Sequence, residues 1–404
     1  MKIVFVIRWH SNQMGYMNNC LAESFARQGH EVHVITSKYQ SYFNIPNYKE
    51  VYGKFLGDAI QPLGTEIYKG IHVHRVSSFR IKNRIILTGI LSKLREIKPD
   101  VIQTFDGHEP STVVVSLVKP FFKYKLFTGV HTILITFRQV VNWKKLTWKR
   151  KLFWSAFFYW PSRILVRNYE TCYAVTRDAS MIAHKMFGVP YHKIKVQTLG
   201  VDAHIYNNII DEKVLAKRVS LGYSKDDVVC IYTGKITDEK KPILLCKAIE
   251  ELNKNGHPFK AIFIGAGKED IINDIKTYDH VQVLNFIPTE ELPIHYKMAD
   301  IAVWPNSITT SMLDAAACAK PVIVSDSVYA YDEVNGKQNT KPQIIAAFFE
   351  TGNYLDLAKK LLLFKEEQHR KNVGTHAMQY IMDNLSWDKL AEKRVEDYKR
   401  SINK

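Results

Sequence analysis

Lys235 and Lys240 share one short loop directly after an apolar run, VVCIYTG (Val228–Gly234). Two ammonium groups at a strand end are natural partners for negative charge on a ligand, although most lysines are solvated surface residues. Further on, Ser307–Ile308–Thr309–Thr310–Ser311 leads into a helical stretch carrying Asp314. Free N–H groups at a helix start bind anions and hydroxyls add donors, but the same residues also serve as simple N-caps. Asp314 alone is a helical carboxylate, equally suited to a ligand hydroxyl, a structural partner or solvent. His131 closes the run TGVHT, where a neutral imidazole can hydrogen-bond a ligand or sit satisfied in a core. Asp106, His108 and Glu109 follow a third run, QTFDGHEP; one could serve as a base, or they could cap the helix after Pro110. Gly15, in the loop after the first apolar run, allows close backbone approach to a ligand and is also an ordinary turn residue.

The elements that must position these residues repeat one grammar twice. KIVFVI reads as a strand, then comes the Gly15 loop, then a helix from about Met17 to Gln28 stopped by Gly29, then the strand EVHVIT. PDVIQTF, KLFTGVH and CYAVT read as further buried parallel strands. After the Gly200–Val201–Asp202 turn the pattern restarts with VVCIYTG and the helix PILLCKAIEELNKNG. FKAIFIGAG, HVQVLNF, DIAVWP and PVIVSD follow, with helices between them, including one from about Thr310 to Ala319. Alternating strand and helix predicts parallel sheets covered on both faces, with ligands at the carboxyl ends of the strands. A chain of 404 residues suits two such α/β domains with a cleft between them. The expected divisions are 1–203, 204–383 and a terminal segment 384–404. The last of these holds the amphipathic SWDKLAEKRVEDYKR, expected to pack back on the first domain.

Composition narrows the partners. Hydrophobic residues make up 46% and charged residues 24%, as in folded globular chains. The N-terminal apolar run breaks at Arg8 and His10, so it reads as a first strand and not as a secretion signal. No apolar stretch approaches the roughly 20 residues of a spanning helix. Five scattered cysteines without a CxxC pair suggest neither a disulfide framework nor a zinc site, which fits a reducing cytoplasm. The net charge of +16 is unevenly spread: residues 1–200 hold 29 Lys and Arg against 11 Asp and Glu, whereas residues 201–404 hold 27 against 29. Between Glu109 and Glu170 there are 11 basic residues and no acidic one. Such a field implies an anionic partner. Trp143, Lys144, Lys145, Trp148, Lys149, Arg150, Lys151 and Trp154 interleave rings and cations there, as suits an anionic membrane surface. A buried helix with snorkelling lysines is the alternative.

The quoted segments, taken in order, resemble glycosyltransferase family 4, whose members have the GT-B fold. MGYMNNCLAESFARQGHEVHVITS resembles its opening loop, helix and strand, and KIKVQTLGVDAHIY its interdomain turn. YTGKITDEKKPILLCKAI resembles its phosphate-binding loop, with Lys235 in place of the usual Arg and Lys241 in place of the usual Gly. VLNFIPTEELPIHYKMADIAVWP and MLDAAACAKPVIVSD resemble its donor-site elements, the usual Glu–seven residues–Glu pattern ending at Asp314, eight places after Asn306.

The resemblance implies an α/β protein of two Rossmann-like domains that transfers a sugar with retention, taking a nucleotide sugar as co-substrate (UDP favoured, GDP possible) and no metal. It places Lys235, Lys240, Thr310 and Ser311 on the diphosphate and Asp314 on the ribose. Asn306 stands at the first acid's position, the Phe286–Ile287–Pro288 turn at the base, Gly15 near the donor and His131 near the reacting sugar. Asp106, His108 and Glu109 would face the acceptor, a glycan or a lipid-diphosphate-linked glycan for lipopolysaccharide or capsule, at the inner face of the cytoplasmic membrane. A GT-B epimerase and a non-catalytic GT-B binding protein stay open as alternatives. Nucleic acid is not an expected partner, because no RNP, helix-turn-helix or zinc-finger pattern accompanies the basic field.

Overall fold

Ile3, Val4, Phe5 and Val6 are all buried, as a parallel strand covered by helices on both sides requires. They form β1 (Lys2–Val6) in the computed structural model, which describes residues 1–81, 84–107, 109–131, 146–202, 205–206, 209–288, 290–306, 309–327 and 344–404. Next come β2 (Glu31–Thr36), β3 (Gly64–Tyr68), β4 (Ile71–Arg75), β5 (Ser78–Ile81), β6 (Arg84–Leu87), β7 (Val101–Gln103), β8 (Lys125–Val130), β9 (Tyr169–Ala174) and β10 (Ile194–Val196). The sheet order is β10-β9-β8-β7-β1-β2-β4-β3, parallel except where β3 meets β4, with β5 and β6 forming a separate antiparallel pair. Gly29, at φ 78°, ends the helix Met17–Arg27 as the left-handed residue the sequence predicts.

The first unit departs from strict strand–helix alternation at β3–β4. Lys69 and Gly70 both adopt positive φ (49° and 77°), the conformation of a two-residue hairpin turn whose twist matches its strands. β3 itself is mostly exposed, so it lacks the continuous burial that marks β1, β2, β7 and β8.

The second unit runs β11 (Val228–Thr233), β12 (Phe259–Ile264), β13 (Val281–Leu284), β14 (Ile301–Trp304), β15 (Val322–Ser325) and β16 (Ile345–Phe349). Its order is β13-β12-β11-β14-β15-β16, parallel throughout. Residues Met1–Leu199 with Leu390–Lys404 form one unit, and Gly200–Lys389 the other. Each has its own apolar core. In the first unit Tyr398 is fully buried between Phe25 and Phe127, and its hydroxyl donates to Gln103 Oε1 at 2.8 Å.

The strand ends of β11 and β12 lie close enough to exclude a side chain. A Cβ on Gly265, itself at φ 153°, would lie 2.0 Å from the Gly234 carbonyl oxygen. Gly265→Ala is therefore expected to lower unfolding stability by more than about 2 kcal/mol in a denaturant titration. An unchanged midpoint would show that the two loops can part without loss.

Candidate active site

In the second unit, chain connections run outward from β11 on one side and from β14 on the other. The carboxyl ends of β11 and β14 thus part at a switch point, where open parallel sheets bind ligands. The loop after β11 carries Lys235 and Lys240, and the loop after β14 carries Asn306 and leads to Thr310, Ser311 and Asp314. The fold brings these six residues to one end of one sheet.

The lysine loop is pinned along its length. Ile236 is fully buried and pairs in parallel with Gly267, with Ile236 N–H donating to the Ala266 carbonyl at 3.0 Å. The Tyr232 hydroxyl donates to the Lys235 carbonyl at 2.7 Å, and Trp304 Nε1 to the Thr233 carbonyl at 2.9 Å. Farther along, the Asn306 amide donates to the Glu239 carbonyl at 2.7 Å. Lys235 projects from this frame exposed, while Lys240 is half-buried, and burial lowers its pKa against the pull of Glu239. The backbone at Lys241 is left-handed, φ 49°, which accounts for the glycine that the resembled family uses there.

Asn306 is thus a positioning residue for the lysine loop; its Oδ1 also accepts from Ser327 at 3.3 Å. Asp314 is partly buried and accepts from the Tyr206 hydroxyl at 2.7 Å. Burial raises its pKa to about 6, with the Tyr206 hydrogen bond acting in the other direction. Its second oxygen has no hydrogen-bond partner among the described residues. Tyr206 had no role in the sequence reading, although it closes the quoted KIKVQTLGVDAHIY segment.

The helix after Thr310 spans only Ser311–Ala317, shorter than the periodicity suggests. The Thr310 hydroxyl makes no cap hydrogen bond among the described residues. Ser307 and Ile308 lie outside the described residues. Ile287 packs partly against the core after β13, beside an exposed Phe286.

In the first unit the order reverses between β7 and β1, and the loops leaving those strands hold Asp106, Glu109 and Arg8. Arg8 pairs with Glu109 at 2.7 Å and lies over the Trp9 ring, 3.8 Å from its centroid. Asp106 receives the backbone N–H of His131, which follows β8. Burial and the nearby Glu109 push its pKa up to about 7, opposed by Arg8 and by that N–H. Burial and Arg394 lower His131 to about 4, so its imidazole is neutral near pH 7. Its Nε2 is closed off from solvent and has no hydrogen-bond partner among the described residues. A neutral ring with an open nitrogen, beside a carboxyl poised near neutrality, can accept and return a proton or hold a hydroxyl. Arg8 was visible in the sequence only as the charge that ends the first strand. His108 lies outside the described residues, and Gly15 is exposed ahead of the helix Met17–Arg27.

Of the basic aromatic stretch, Trp143, Lys144 and Lys145 lie outside the described residues. Trp148 opens the helix Trp148–Trp154 and is 69% exposed, with Lys149 and Arg150 exposed beside it and Lys151 half-exposed. Trp154 instead packs on the core. Leu152, Phe153, Phe157, Trp160 and Ile164 continue the outward apolar face. Phe121, 84% exposed, follows the neighbouring helix Pro110–Val118. Among the described residues no helix is long and apolar enough to cross a membrane.

Comparison with known proteins agrees with the fold. The family model described as Glycosyltransferase Family 4 matches residues 19–204, and that described as Glycosyl transferases group 1 matches residues 215–380. An uncharacterized glycosyltransferase of Methanocaldococcus jannaschii is 25% identical over 57% of this chain and 61% of its own length. A GDP-mannose-dependent phosphatidylinositol monomannoside mannosyltransferase of Mycobacterium tuberculosis is 23% identical over 45% of this chain and 49% of its own. The chain therefore spans between 49% and 61% of the length of these curated relatives. The crystal structure of Anabaena HepE with UDP aligns at TM-score 0.63 over 99% of this chain and 100% of that one, at 14% identity. These two sheets, each with its residues gathered at the switch point, are the two Rossmann-like halves of a GT-B protein. The chain belongs to glycosyltransferase family 4.

The raised pKa of Asp106 has a stability consequence. Between about pH 4 and 7 the folded chain keeps a proton that the unfolded chain has lost, so this carboxyl lowers stability as pH rises through that window. Asp106→Asn removes the effect and is expected to stabilise the protein by about 1–2 kcal/mol at pH 8, with little gain below pH 4. Melting curves at both pH values check this; equal shifts at both would mean the carboxyl is not strained by burial.

Proposed function

We propose that the protein transfers a sugar from a nucleotide diphosphate donor to a glycan or lipid-linked acceptor, with retention and without a metal. The carrying observation is the lysine loop at the switch point of the second unit, held by Ile236 and Asn306 with Lys235 and Lys240 on it. The bond from the anomeric carbon to the β-phosphate oxygen breaks, and negative charge grows on the diphosphate. Cations placed where that charge develops lower the barrier, and Lys235 and Lys240 supply them. The acceptor oxygen bonds to the same carbon from the same face, and its proton passes to the departing phosphate oxygen. Asp314, through its unpartnered oxygen, receives the ribose hydroxyls. The neutral His131 hydrogen-bonds the transferred sugar or the acceptor, with Asp106 and Glu109 on the acceptor side.

UDP is the favoured nucleotide, supported by the UDP complex of Anabaena HepE; the mycobacterial relative, named for GDP-mannose, keeps GDP as the second choice. The acceptor is taken to be lipid-linked, in bacterial surface polysaccharide synthesis at the inner face of the cytoplasmic membrane. Support comes from exposed Trp148, Phe153, Phe157 and Trp160 amid Lys149, Arg150 and Arg163, a combination that suits an anionic interface.

Two measurements test these readings. Lys240→Ala is expected to slow acceptor-dependent nucleoside diphosphate release by about a hundredfold, the scale of losing one charge-stabilising donor. Unchanged turnover would remove Lys240 from the site, and sugar interconversion without release would favour an epimerase. For the membrane, Trp148→Ser with Phe157→Ser is expected to cut sedimentation with phosphatidylglycerol vesicles about tenfold or more, because two large rings leave the interface. Equal partition of variant and parent would end the membrane assignment.

A further inference from the structure

In the first unit, away from Asp106 and His131, a cavity of about 140 Å³ opens among Asn12, Gln40, Leu56, Gln61, Glu66 and Arg75. Asn12 follows β1, Gln40 follows β2, and Arg75 is the last residue of β4, so these groups stand at carboxyl ends of parallel strands. Glu66 comes from β3, the antiparallel partner of β4. The cavity lies on the side of β1 away from β7, so it is distinct from the switch point.

Each donor group of this cavity already makes at least one hydrogen bond. Arg75 is buried, donating to the His10 carbonyl at 3.2 Å and to Glu66 Oε1 at 3.1 Å. The Gln40 amide donates to the Leu56 carbonyl at 3.1 Å, and its Oε1 accepts from the Ser11 hydroxyl at 2.5 Å. The Gln61 amide donates to the Asp58 carbonyl at 2.7 Å. The Asn12 amide donates to Glu66 Oε1 at 3.2 Å, which fixes the direction of that side chain. Beside the further N–H groups of these side chains stand acceptors without a partner. Asn12 Oδ1 is shut off from solvent, and although the His10 ring stands near it, no well-formed hydrogen bond reaches it among the described residues. Gln61 Oε1 and Glu66 Oε2 have no hydrogen-bond partner there either.

A buried acceptor without a donor is destabilising unless a ligand supplies one. The open Glu66 oxygen repels an anion, while Arg75 and the surplus of 18 positive charges over residues 1–200 disfavour a cation. A neutral ligand rich in hydroxyl donors satisfies both conditions. We infer that this cavity is a subsite for the hydroxyls of a neutral sugar ring, contacted by Asn12, Gln61 and Glu66. On the proposed function it selects the acceptor's sugar, so its role in catalysis rests on that reading, whereas the binding itself does not.

Saturation-transfer NMR on the full chain with methyl α-glucoside, α-galactoside and α-mannoside tests it, alongside calorimetric titration with UDP. Binding of at least one glycoside is expected, weakened about three- to tenfold in Gln61→Leu and in Asn12→Leu, as loss of one neutral hydrogen bond predicts. UDP affinity is expected to stay within about twofold, since neither residue lies on the unit carrying the lysines. Gln61 is a surface-facing side chain, so its variant keeps the test valid if Asn12→Leu folds poorly. No saturation transfer from any glycoside, equal transfer in parent and Gln61→Leu, or displacement of the glycoside by inorganic phosphate would each overturn the subsite. Glycoside binding without UDP binding would leave it standing and remove the transferase reading instead.

Discussion

The parting of β11 and β14, and the fastening of the loop that leaves β11, is the constraint on which the candidate donor site depends. A lysine on a loose loop gathers charge poorly, because the entropy of ordering it opposes each contact it makes. Here Ile236, between the two lysines in sequence, sinks into the core and gives the loop an apolar anchor. Gly267 makes that anchor possible, because a Cβ there would lie 2.1 Å from the Ile236 carbonyl oxygen. Asn306 then ties the loop after β14 to the same frame. Stability and placement of charge are consequences of the same packing.

The first unit solves a different electrostatic problem. It holds carboxyls, Asp106 and Glu109, in a place where burial raises both pKa values. Arg8 and the His131 N–H limit the penalty without cancelling it. A carboxyl left near neutrality and an imidazole held neutral are more costly to fold than a simple ion pair, and such arrangements gather where proton chemistry or hydrogen bonding to a ligand is needed. In the second unit Asp314 follows the same pattern on a smaller scale, its carboxylate offset by one tyrosine hydroxyl.

Much of this was legible because the central strands are buried on both faces. The runs KIVFV and VVCIYT contain no alternation, and the loops that follow them fall where topology brings ligands. Family resemblance then named the lysines and Asp314. The β3–β4 hairpin escaped because β3 is mostly exposed and its turn depends on a lysine, not a glycine, taking the first left-handed position. The structural task of Asn306 escaped for another reason: its partner is a backbone carbonyl 67 residues away, and no local pattern announces such a contact. Trp154 shows the limit of counting aromatics, since periodicity along a helix does not say which ring meets the core.

Division of charge between the halves separates the tasks that one positive field would confuse. A uniformly basic chain would draw anions over its whole surface. In this chain residues 201–404 are nearly balanced, 27 basic against 29 acidic, so on the proposed function a diphosphate would meet Lys235 and Lys240 locally and not a diffuse field. The surplus of the first half lies instead beside exposed rings, as with Lys149 and Arg150 next to Trp148. Long-range attraction of that kind suits a surface, where geometry is loose and the summed charge decides. Close placement suits a nucleotide, where a shift of about one ångström decides the rate.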